Sequence, residues 1–371
     1  MLGGRAPAAF LAQCWQKQAL LVRGAWSGAA DLVAKGDLFR LAGRDDVESR
    51  LVLRERGRWS LSHGPFARRE LATLPERGWT LLVQGVNLHD RAADRLLRSF
   101  AFLPFARLDD LMVSYAAPGG GVGPHFDSYD VFLLQGFGRR RWRYGRQLDL
   151  TLRTRLPLRI LERFAPEFEH VLAPGDMLYL PPQYAHDGIA VDACTTYSIG
   201  FRAASANEVG TAFLDYLRDA LDLPGRYADP DAQPTAEPAR IDAAMQERYI
   251  ALLAGISWTA STMRRFLGTW LSEPKPSVAF EPPDTPLPAA AFRLRAARHG
   301  LALDTRTQLL YDATHVFVNG DARPWPARGR DLLRALANAR ALPATACRRA
   351  HADTIALLHT WYRDGFLHLA T

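Results

Sequence analysis

Cysteine is nearly absent from this chain of 371 residues. The three cysteines, Cys14, Cys194 and Cys347, lie far apart and form no C-x-x-C pair. This spacing excludes both a disulfide framework and a zinc knuckle. We therefore expect a protein of a reducing compartment, the cytoplasm.

Long hydrophobic runs are missing as well. No stretch of about 18 consecutive apolar residues occurs, which is the length that a membrane-spanning helix needs. The apolar stretch "APAAFLA" near residue 10 is shorter than the hydrophobic centre of a secretory signal. The sequence therefore predicts a protein that is neither exported nor membrane-spanning.

Lysine is scarce, because only Lys17, Lys35 and Lys275 among the 46 basic residues are lysine. The formal net charge of +7 is compatible with a polyanionic partner, since clustered cations displace counterions from nucleic acid. An arginine-rich chain with abundant alanine and leucine is also typical of codon bias. Direct binding of nucleic acid is therefore possible but not favoured.

The chain is longer than a single average domain of roughly 100 to 200 residues. We assign residues 1–205 to a first domain. From about residue 106 to 205, short apolar runs such as "VFLLQ" and "MLYL" alternate with glycine and proline turns. This pattern predicts an antiparallel barrel or sandwich.

Helical and proline-rich patterns divide the rest of the chain. Helical spacing over 207–222, 241–255 and 258–272 predicts a helical region at 206–275. The prolines of 276–289 predict an extended linker. Residues 290–371 combine helical patterns at 330–342 and 352–364 with "THVFVNGDARPW", whose Asn-Gly pair suits a type I′ hairpin. Helices with a small hairpin indicate a winged-helix-like domain.

A candidate metal site comes from the segment "GPHFDSYD". On a strand, His125 and Asp127 would point to one face while Phe126 faces away. Two histidines and one carboxylate bind non-haem Fe(II) and leave positions open for substrate and O₂. His186, in "PPQYAHDG", is our preferred third ligand. His170 is the alternative, but it lies within a strand pattern.

The segment "GRRRWRYG" predicts one inward-pointing arginine. Alternation places Arg140 and Trp142 on one face of a strand, and Arg139, Arg141 and Arg143 on the other. If the odd-numbered arginines are solvated, Arg140 points inward. A buried guanidinium requires a carboxylate partner. A dicarboxylate cosubstrate or an ion pair within the protein would satisfy it.

In the segment "DDLMVS", a further set of side chains would point to the same face of a strand. Asp110, Met112 and Ser114 alternate with leucine and valine, and Tyr129 shares the parity of the His-x-Asp pair. An acid, a thioether and a ring can together hold a cationic side chain. From periodicity alone, this face could equally be exposed to solvent.

Three stretches resemble the bacterial YcfD-type ribosomal oxygenases of the cupin and JmjC superfamily. They are "PGGGVGPHFDSYDVFLLQGFGRRRWR", "PGDMLYLPPQYAHDG" and "YSIGFRA", and weaker similarity extends over essentially the whole chain. The resemblance implies an α+β fold: a double-stranded β-helix of the cupin/jelly-roll type, a helical dimerisation region and a C-terminal winged-helix-like domain. It also implies a homodimer.

The activity implied by the resemblance is hydroxylation at C3 of an arginine in the sixteenth large-subunit ribosomal protein, with Fe(II), 2-oxoglutarate and O₂. The implied iron ligands are His125, Asp127 and His186. The implied cosubstrate contacts are Arg140, which anchors the distal carboxylate, and Ser114. The implied contacts to the target arginine are Asp110, Met112, Tyr129 and Ser198. Ala116 and Thr196 depart from the family, which carries more polar residues there.

Two other functions remain open from the sequence. The same chemistry could act on a lysine or histidine, as hydroxylase or demethylase, because Asp110 favours a cationic target without separating arginine from lysine. Alternatively, the protein could be a non-catalytic, nucleic-acid-binding cupin with a winged helix.

Overall fold

The computed structural model of the chain describes residues 1–370. Its α-helices are α1 (Pro7–Gln13), α2 (Lys35–Ala42), α3 (Arg68–Ala72), α4 (Arg91–Arg98), α5 (Ala206–Ala220), α6 (Ala243–Leu253), α7 (Ala260–Ser272), α8 (Ala289–His299), α9 (Arg330–Ala339), α10 (Ala344–Arg348) and α11 (Ala352–Arg363). Short 3₁₀ helices occur at Ala29–Asp31, Val86–Leu88 and Phe105–Arg107. No helix in this described part of the chain is long and apolar enough to cross a membrane.

The first eleven strands lie before residue 205. They are β1 (Leu20–Val22), β2 (Ser49–Glu55), β3 (Arg58–His63), β4 (Trp79–Val83), β5 (Leu108–Ala116), β6 (Val131–Gln135), β7 (Arg140–Arg146), β8 (Phe168–Leu172), β9 (Met177–Leu180), β10 (Tyr184–Ala190) and β11 (Cys194–Phe201). The remaining strands are β12 (Leu301–Leu303), β13 (Leu309–Tyr311), β14 (His315–Val318), β15 (Asp321–Pro324), β16 (Ala341–Leu342) and β17 (Leu367–Leu369).

Two antiparallel sheets build the barrel. The larger sheet has eight strands in the order β1-β9-β6-β11-β5-β4-β2-β3, and the smaller one has the order β10-β7-β8. Apolar side chains of β6 and β9 pack against Trp142 and Tyr144 of β7 between the sheets. This arrangement agrees with the predicted barrel or sandwich. Strands β2, β3 and β4, which precede residue 106, also belong to the larger sheet.

Strand β6 shows how one strand serves two cores. All five of its residues are buried. Val131 and Leu133 face the smaller sheet, whereas Phe132 and Leu134 belong to the main core on the opposite face. On that face the Phe132 ring lies 5.5 Å from the Phe10 ring of α1. A strand covered on both faces has a continuous apolar sequence, as "VFLL" has.

The chain divides into two compact units. The first comprises residues 1–203, 274–307 and 326–370, and the second comprises Ala204–Glu273 and Gln308–Trp325. In the second unit, the hairpin β14–β15 packs near the end of α7, where the backbone N–H of Gly320 donates to Ser272 Oγ at 3.2 Å. This grouping joins elements that the sequence interpretation assigned to separate domains. The predicted boundaries at 205, 275 and 289 stay predictions.

The predicted hairpin is present between β14 and β15. Its two turn residues, Asn319 and Gly320, have φ angles of 49° and 91°. A type I′ turn requires positive φ at both positions, which explains the Asn-Gly pair. The predicted helices of this half match α9 and α11. Helix α9 ends three residues earlier than predicted, because Arg340 takes a left-handed conformation.

Candidate active site

A cavity of about 360 Å³ lies in the first unit between the two sheets. Its walls come from β4, β5, β6 and β11 of the larger sheet and from β7 and β10 of the smaller one. The candidate residues that line it are Asp110, Met112, Ser114, His125, Asp127, Tyr129, Arg140, His186 and Ser198. All the site residues predicted from the sequence therefore border one cavity.

A single β-bridge brings His125 and His186 together. The backbone N–H of His125 donates to the carbonyl of His186 at 3.0 Å, and the reverse bond is 2.8 Å long. The two imidazole rings lie 4.3 Å apart between centroids. His186 belongs to β10, which pairs antiparallel with β7.

The expected strand around the His-x-Asp pair is absent. Within residues 117–130, only His125 forms a bridge, and Asp127 lies in a loop. Phe126 also borders the cavity. The glycines before the pair allow close packing, because a Cβ at Gly121 would lie 2.6 Å from the carbonyl oxygen of Gly188 on β10.

Both histidines present the same ring nitrogen to the cavity. Nδ1 of His125 lies 2.9 Å from the carbonyl of Gly123, and Nδ1 of His186 lies 3.0 Å from the carbonyl of Tyr184. Because only a protonated Nδ1 can donate to a carbonyl, each Nε2 keeps its lone pair for a ligand. Potential ligand atoms of the two histidines and Asp127 all lie within 4.8 Å of one another.

Burial favours the neutral form of His186. Desolvation, and then the nearby His125, lower the pKa of His186 to about 4. Neutral imidazole is the form that coordinates metals. The alternative ligand, His170, lies on β8 with its Nδ1 3.2 Å from the Tyr144 hydroxyl, outside this group.

Arg140 is buried, as alternation predicted. Arg140 and Trp142 are buried on β7, whereas Arg141 and Arg143 are more exposed. Arg143 pairs with Asp187 at 2.5 Å, and the exposed Arg139 pairs with Asp192 at 2.9 Å. Arg139 and Arg143, which point away from the cavity, therefore have carboxylate partners within the protein.

The Arg140 guanidinium lacks such a partner. Arg140 is 5% exposed, yet its Nε and Nη2 atoms have no hydrogen-bond partner within residues 1–370. The ion pair within the protein, which the sequence left open, is therefore not observed for these two nitrogens. A buried cation with unpaired donors is unfavourable unless a ligand completes it. The two nitrogens form one edge of the guanidinium and suit a carboxylate.

Polar residues of the larger sheet line the same cavity. Ser114 of β5 pairs in register with Thr196 of β11, and the Thr196 hydroxyl donates to Gln135 Oε1 at 3.3 Å. Thr80 of β4 is fully buried, and its hydroxyl has no partner in the described chain. The sequence interpretation missed Thr80, because its place in the site depends on the pairing of β4 with β5.

An acidic group lies on β5. Asp110 is 3% exposed, and its Oδ2 accepts a hydrogen bond from the Gly85 N–H at 2.9 Å. Burial raises the pKa of Asp110, while the ammonium of Lys275 opposes that rise. Asp110 and Ser114 are buried and Met112 is half-buried, so this face of β5 is not a solvent face. Tyr129, 40% exposed, is the most accessible of the predicted substrate contacts.

Comparison with known proteins shows which family the chain belongs to. Residues 95–209 match the JmjC domain, and residues 255–368 match the ROXA-like winged helix. The chain is 37% identical over 279 residues to the Ribosomal protein uL16 3-hydroxylase of Escherichia coli, covering 75% of this chain and 74% of that protein. The chain belongs to the JmjC-domain ribosomal oxygenases. The family predicted from the sequence is thus confirmed.

Solved structures of this ribosomal oxygenase family have the same fold. The X-ray structure of E. coli ycfD has a TM-score of 0.85 at 32% identity and covers 98% of both chains. YcfD in complex with cobalt and 2-oxoglutarate has a TM-score of 0.82 over 98% of both chains. The predicted α+β class, with a JmjC cupin domain and a winged-helix domain, and the enzyme class of 2-oxoglutarate-dependent dioxygenase are confirmed. Fe(II), 2-oxoglutarate and O₂ are the cofactor and cosubstrates of this class.

Proposed function

We propose that this ribosomal oxygenase hydroxylates C3 of an arginine in the large-subunit ribosomal protein uL16. The proposal rests on the residues that line one cavity. The cavity holds a His-Asp-His group, a buried guanidinium with two unpaired nitrogens and a buried carboxylate. A metal, a dicarboxylate and a cationic side chain can thus meet in a single space.

The metal ligands in this proposal are His125, Asp127 and His186. Their Nε2 atoms and one carboxylate oxygen offer three donors, a set that suits Fe(II) and leaves coordination positions open. When bound, Fe(II) with 2-oxoglutarate supplies the activation of O₂, so that substrate, O₂ and 2-oxoglutarate give hydroxylated product, succinate and CO₂. Hydrogen bonds from Nδ1 to backbone carbonyls fix the orientation of both rings.

Arg140 binds the distal carboxylate of 2-oxoglutarate in this proposal. Nε and Nη2 can donate two parallel hydrogen bonds, which is the strongest arrangement of this ion pair. The Arg140 guanidinium lies 5.8 Å from the centroid of the Trp142 ring, which limits its movement. Ser114, buried on β5, is the second candidate contact to the cosubstrate.

The target arginine binds at the acidic part of the cavity. Asp110 offers a carboxylate in a desolvated position, where a charge-assisted hydrogen bond is strong. Tyr129 and Met112 offer a ring and a thioether for contact with the flat guanidinium. Ser198, buried on β11, offers a hydroxyl. Apolar walls from Val131, Leu133 and Trp142 keep water from the reacting carbon.

Mass spectrometry of ribosomal proteins tests the proposal directly. Ribosomes from cells with and without this gene should differ by the mass of one oxygen on a single arginine of uL16. Purified protein mixed anaerobically with Fe(II) and 2-oxoglutarate should also develop a visible charge-transfer band, which His125→Ala removes. The same mass increase on a lysine or histidine, or on another protein, would contradict the arginine assignment.

We further propose a homodimer formed through the helical region, in the cytoplasm. In the second unit, large apolar side chains remain exposed on and around α5 and α6: Leu214, Tyr249, Ile250, Leu253 and Trp258. Several exposed large apolar side chains in one region of the chain support an interface there. The three cysteines are buried and unpaired, as a reducing compartment allows. Small-angle scattering should give the mass of two chains, and a monomer would exclude the dimer.

A further inference from the structure

One of the three lysines of the chain contacts the acidic group of the cavity. Nζ of Lys275 lies 3.3 Å from Asp110 Oδ2 and 3.4 Å from Asp109 Oδ1. All three residues belong to the first unit. The Lys275 side chain is 31% exposed. It does not border the cavity, whereas both aspartates do.

The backbone around Lys275 is restrained. Pro274 and Pro276 flank it, and each proline ring limits the conformation of its own and the preceding residue. The carbonyl of Lys275 accepts a hydrogen bond from the Val278 N–H at 2.9 Å. An ammonium carries three donors, so it can serve two carboxylates at once. The restrained backbone between Pro274 and Pro276 therefore presents the Lys275 cation to the aspartate pair.

The two oxygens of Asp110 have different surroundings. Oδ2 accepts a hydrogen bond from the Gly85 N–H and faces Lys275. Oδ1 lies on the side of Gly200 and Tyr129, both of which line the cavity. A Cβ built at Gly200 would lie 3.8 Å from Oδ1 and 3.9 Å from the Tyr129 ring. One oxygen is thus held by the protein, and the other is directed to the space where a substrate would bind.

We propose that Lys275 is a positioning residue for the substrate: it binds Asp110 Oδ2 and orients Oδ1 toward the target cation. The inference rests on the proposed function, because it assumes that Asp110 binds a cationic side chain. A buried carboxylate tends to take up a proton, which would remove its attraction for a cation. The Lys275 charge opposes this and favours the ionised form of Asp110.

Other charged groups around Asp110 are arranged in agreement with this role. Asp109 shares the Lys275 ammonium, and Arg202 Nε lies 3.7 Å from Asp109 Oδ1. Arg202 therefore offsets the second carboxylate, so that Lys275 is not required to neutralise both. Tyr129 approaches from the loop of the His-x-Asp pair. With Lys275 removed, Asp109 would repel negative charge on Asp110 and favour its protonation.

The experiment compares two peptides on the full-length protein. One is a synthetic uL16 peptide centred on the hydroxylated arginine, and the other carries citrulline there, which has the same shape without the charge. Binding is measured by fluorescence anisotropy under nitrogen, with Fe(II) and 2-oxoglutarate present. The wild type should bind the arginine peptide at least about tenfold more tightly, since the ion pair with Asp110 is buried.

Substitutions at Lys275 then separate the outcomes. In Lys275→Gln the preference for arginine should fall below about threefold, because Asp110 takes up a proton. Lys275→Arg should keep the preference, since it keeps the positive charge. Lys35→Gln is the matched control, because Lys35 is exposed and its Nζ lies over the Tyr115 ring at 4.7 Å, away from the aspartates. Circular dichroism confirms that each variant is folded.

Several results would overturn the inference. Tighter binding of the arginine peptide by Lys275→Gln would mean that Lys275 competes with the substrate. Unchanged selectivity in that variant, or lost selectivity in a folded Lys275→Arg, would show that its charge has no positioning role. Equal binding of both peptides by the wild type would show that Asp110 does not bind the cation and would overturn this inference, whereas the added oxygen on uL16 tests the proposed function separately.

Discussion

Arg140 and Asp110 are the two buried charges that line the cavity, and they are satisfied in different ways. The Arg140 guanidinium has two nitrogens without partners, whereas Asp110 has a backbone donor and a lysine. An unpaired charge indicates that the ligand itself completes the site. A paired carboxylate with one oxygen directed to the cavity indicates that groups of the protein favour its ionised form. In the proposed function, the small cosubstrate and the larger protein substrate would thus be recognised by different physical arrangements.

The largest effect is expected from a metal ligand, because both charged groups serve a reaction that depends on it. Asp127→Ala should reduce turnover to background, since two histidines alone hold Fe(II) weakly. Succinate release is the measurement, and the charge-transfer band should disappear with the activity. Asp149→Ala, which removes an exposed carboxylate near Arg163, is the control. Turnover above a few per cent in Asp127→Ala would contradict the ligand assignment.

The next largest effect is expected at Arg140, on the KM for 2-oxoglutarate. Arg140→Ala should raise the KM for 2-oxoglutarate by about 100-fold, because a bidentate charged hydrogen bond worth roughly 2–3 kcal/mol is lost. The KM for the peptide should change little. Arg141→Ala, on the opposite face of β7, is the control. Equal changes in both KM values would place the anchor of the cosubstrate elsewhere.

The same residue also allows a test of stability. Because Arg140 is buried with unpaired nitrogens, Arg140→Met should stabilise the ligand-free protein by about 1–3 kcal/mol in urea unfolding. Adding 2-oxoglutarate should stabilise the wild type but not the variant. A destabilised Arg140→Met protein would show that the guanidinium is satisfied without a ligand.

A smaller and opposite kinetic pattern is expected at Asp110. Asp110→Asn should raise the peptide KM by about 10- to 30-fold, because a neutral amide replaces the ionised partner of the cation. The KM for 2-oxoglutarate should stay within twofold, roughly the scatter of surface substitutions. If the effect on 2-oxoglutarate equals that on the peptide, the two charges do not serve separate ligands.

Ser114→Ala should have the smallest effect. Loss of one neutral hydroxyl contact corresponds to about 0.5–1.5 kcal/mol, or a few-fold increase in the KM for 2-oxoglutarate. Steady-state kinetics with succinate detection can resolve this change, and a double variant with Arg140→Lys tests whether the two residues act on the same ligand. A change confined to the peptide KM would show that Ser114 contacts the peptide substrate instead of 2-oxoglutarate.

Parts of the site followed local rules and could be predicted. The alternation of β7 identified Arg140 among a run of arginines, because a strand with one buried face has a period of two. The Asn-Gly pair predicted its hairpin for an equally local reason. The strand around His125 was predicted wrongly, since a single bridge to His186 holds the segment and the glycines let the loop pack closely. The roles of these residues in binding remain proposals.

The sequence by itself determined the chemistry that the cavity can hold: two histidines, the carboxylate of Asp127 and one inward arginine, each recognisable from its neighbours in the chain. Only the tertiary structure decided which distant groups complete them. It pairs β4 with β5 and so adds Thr80, and it brings Lys275 from the proline-rich segment to Asp110. Such contacts depend on sheet order and on the path of the chain, which no local period encodes.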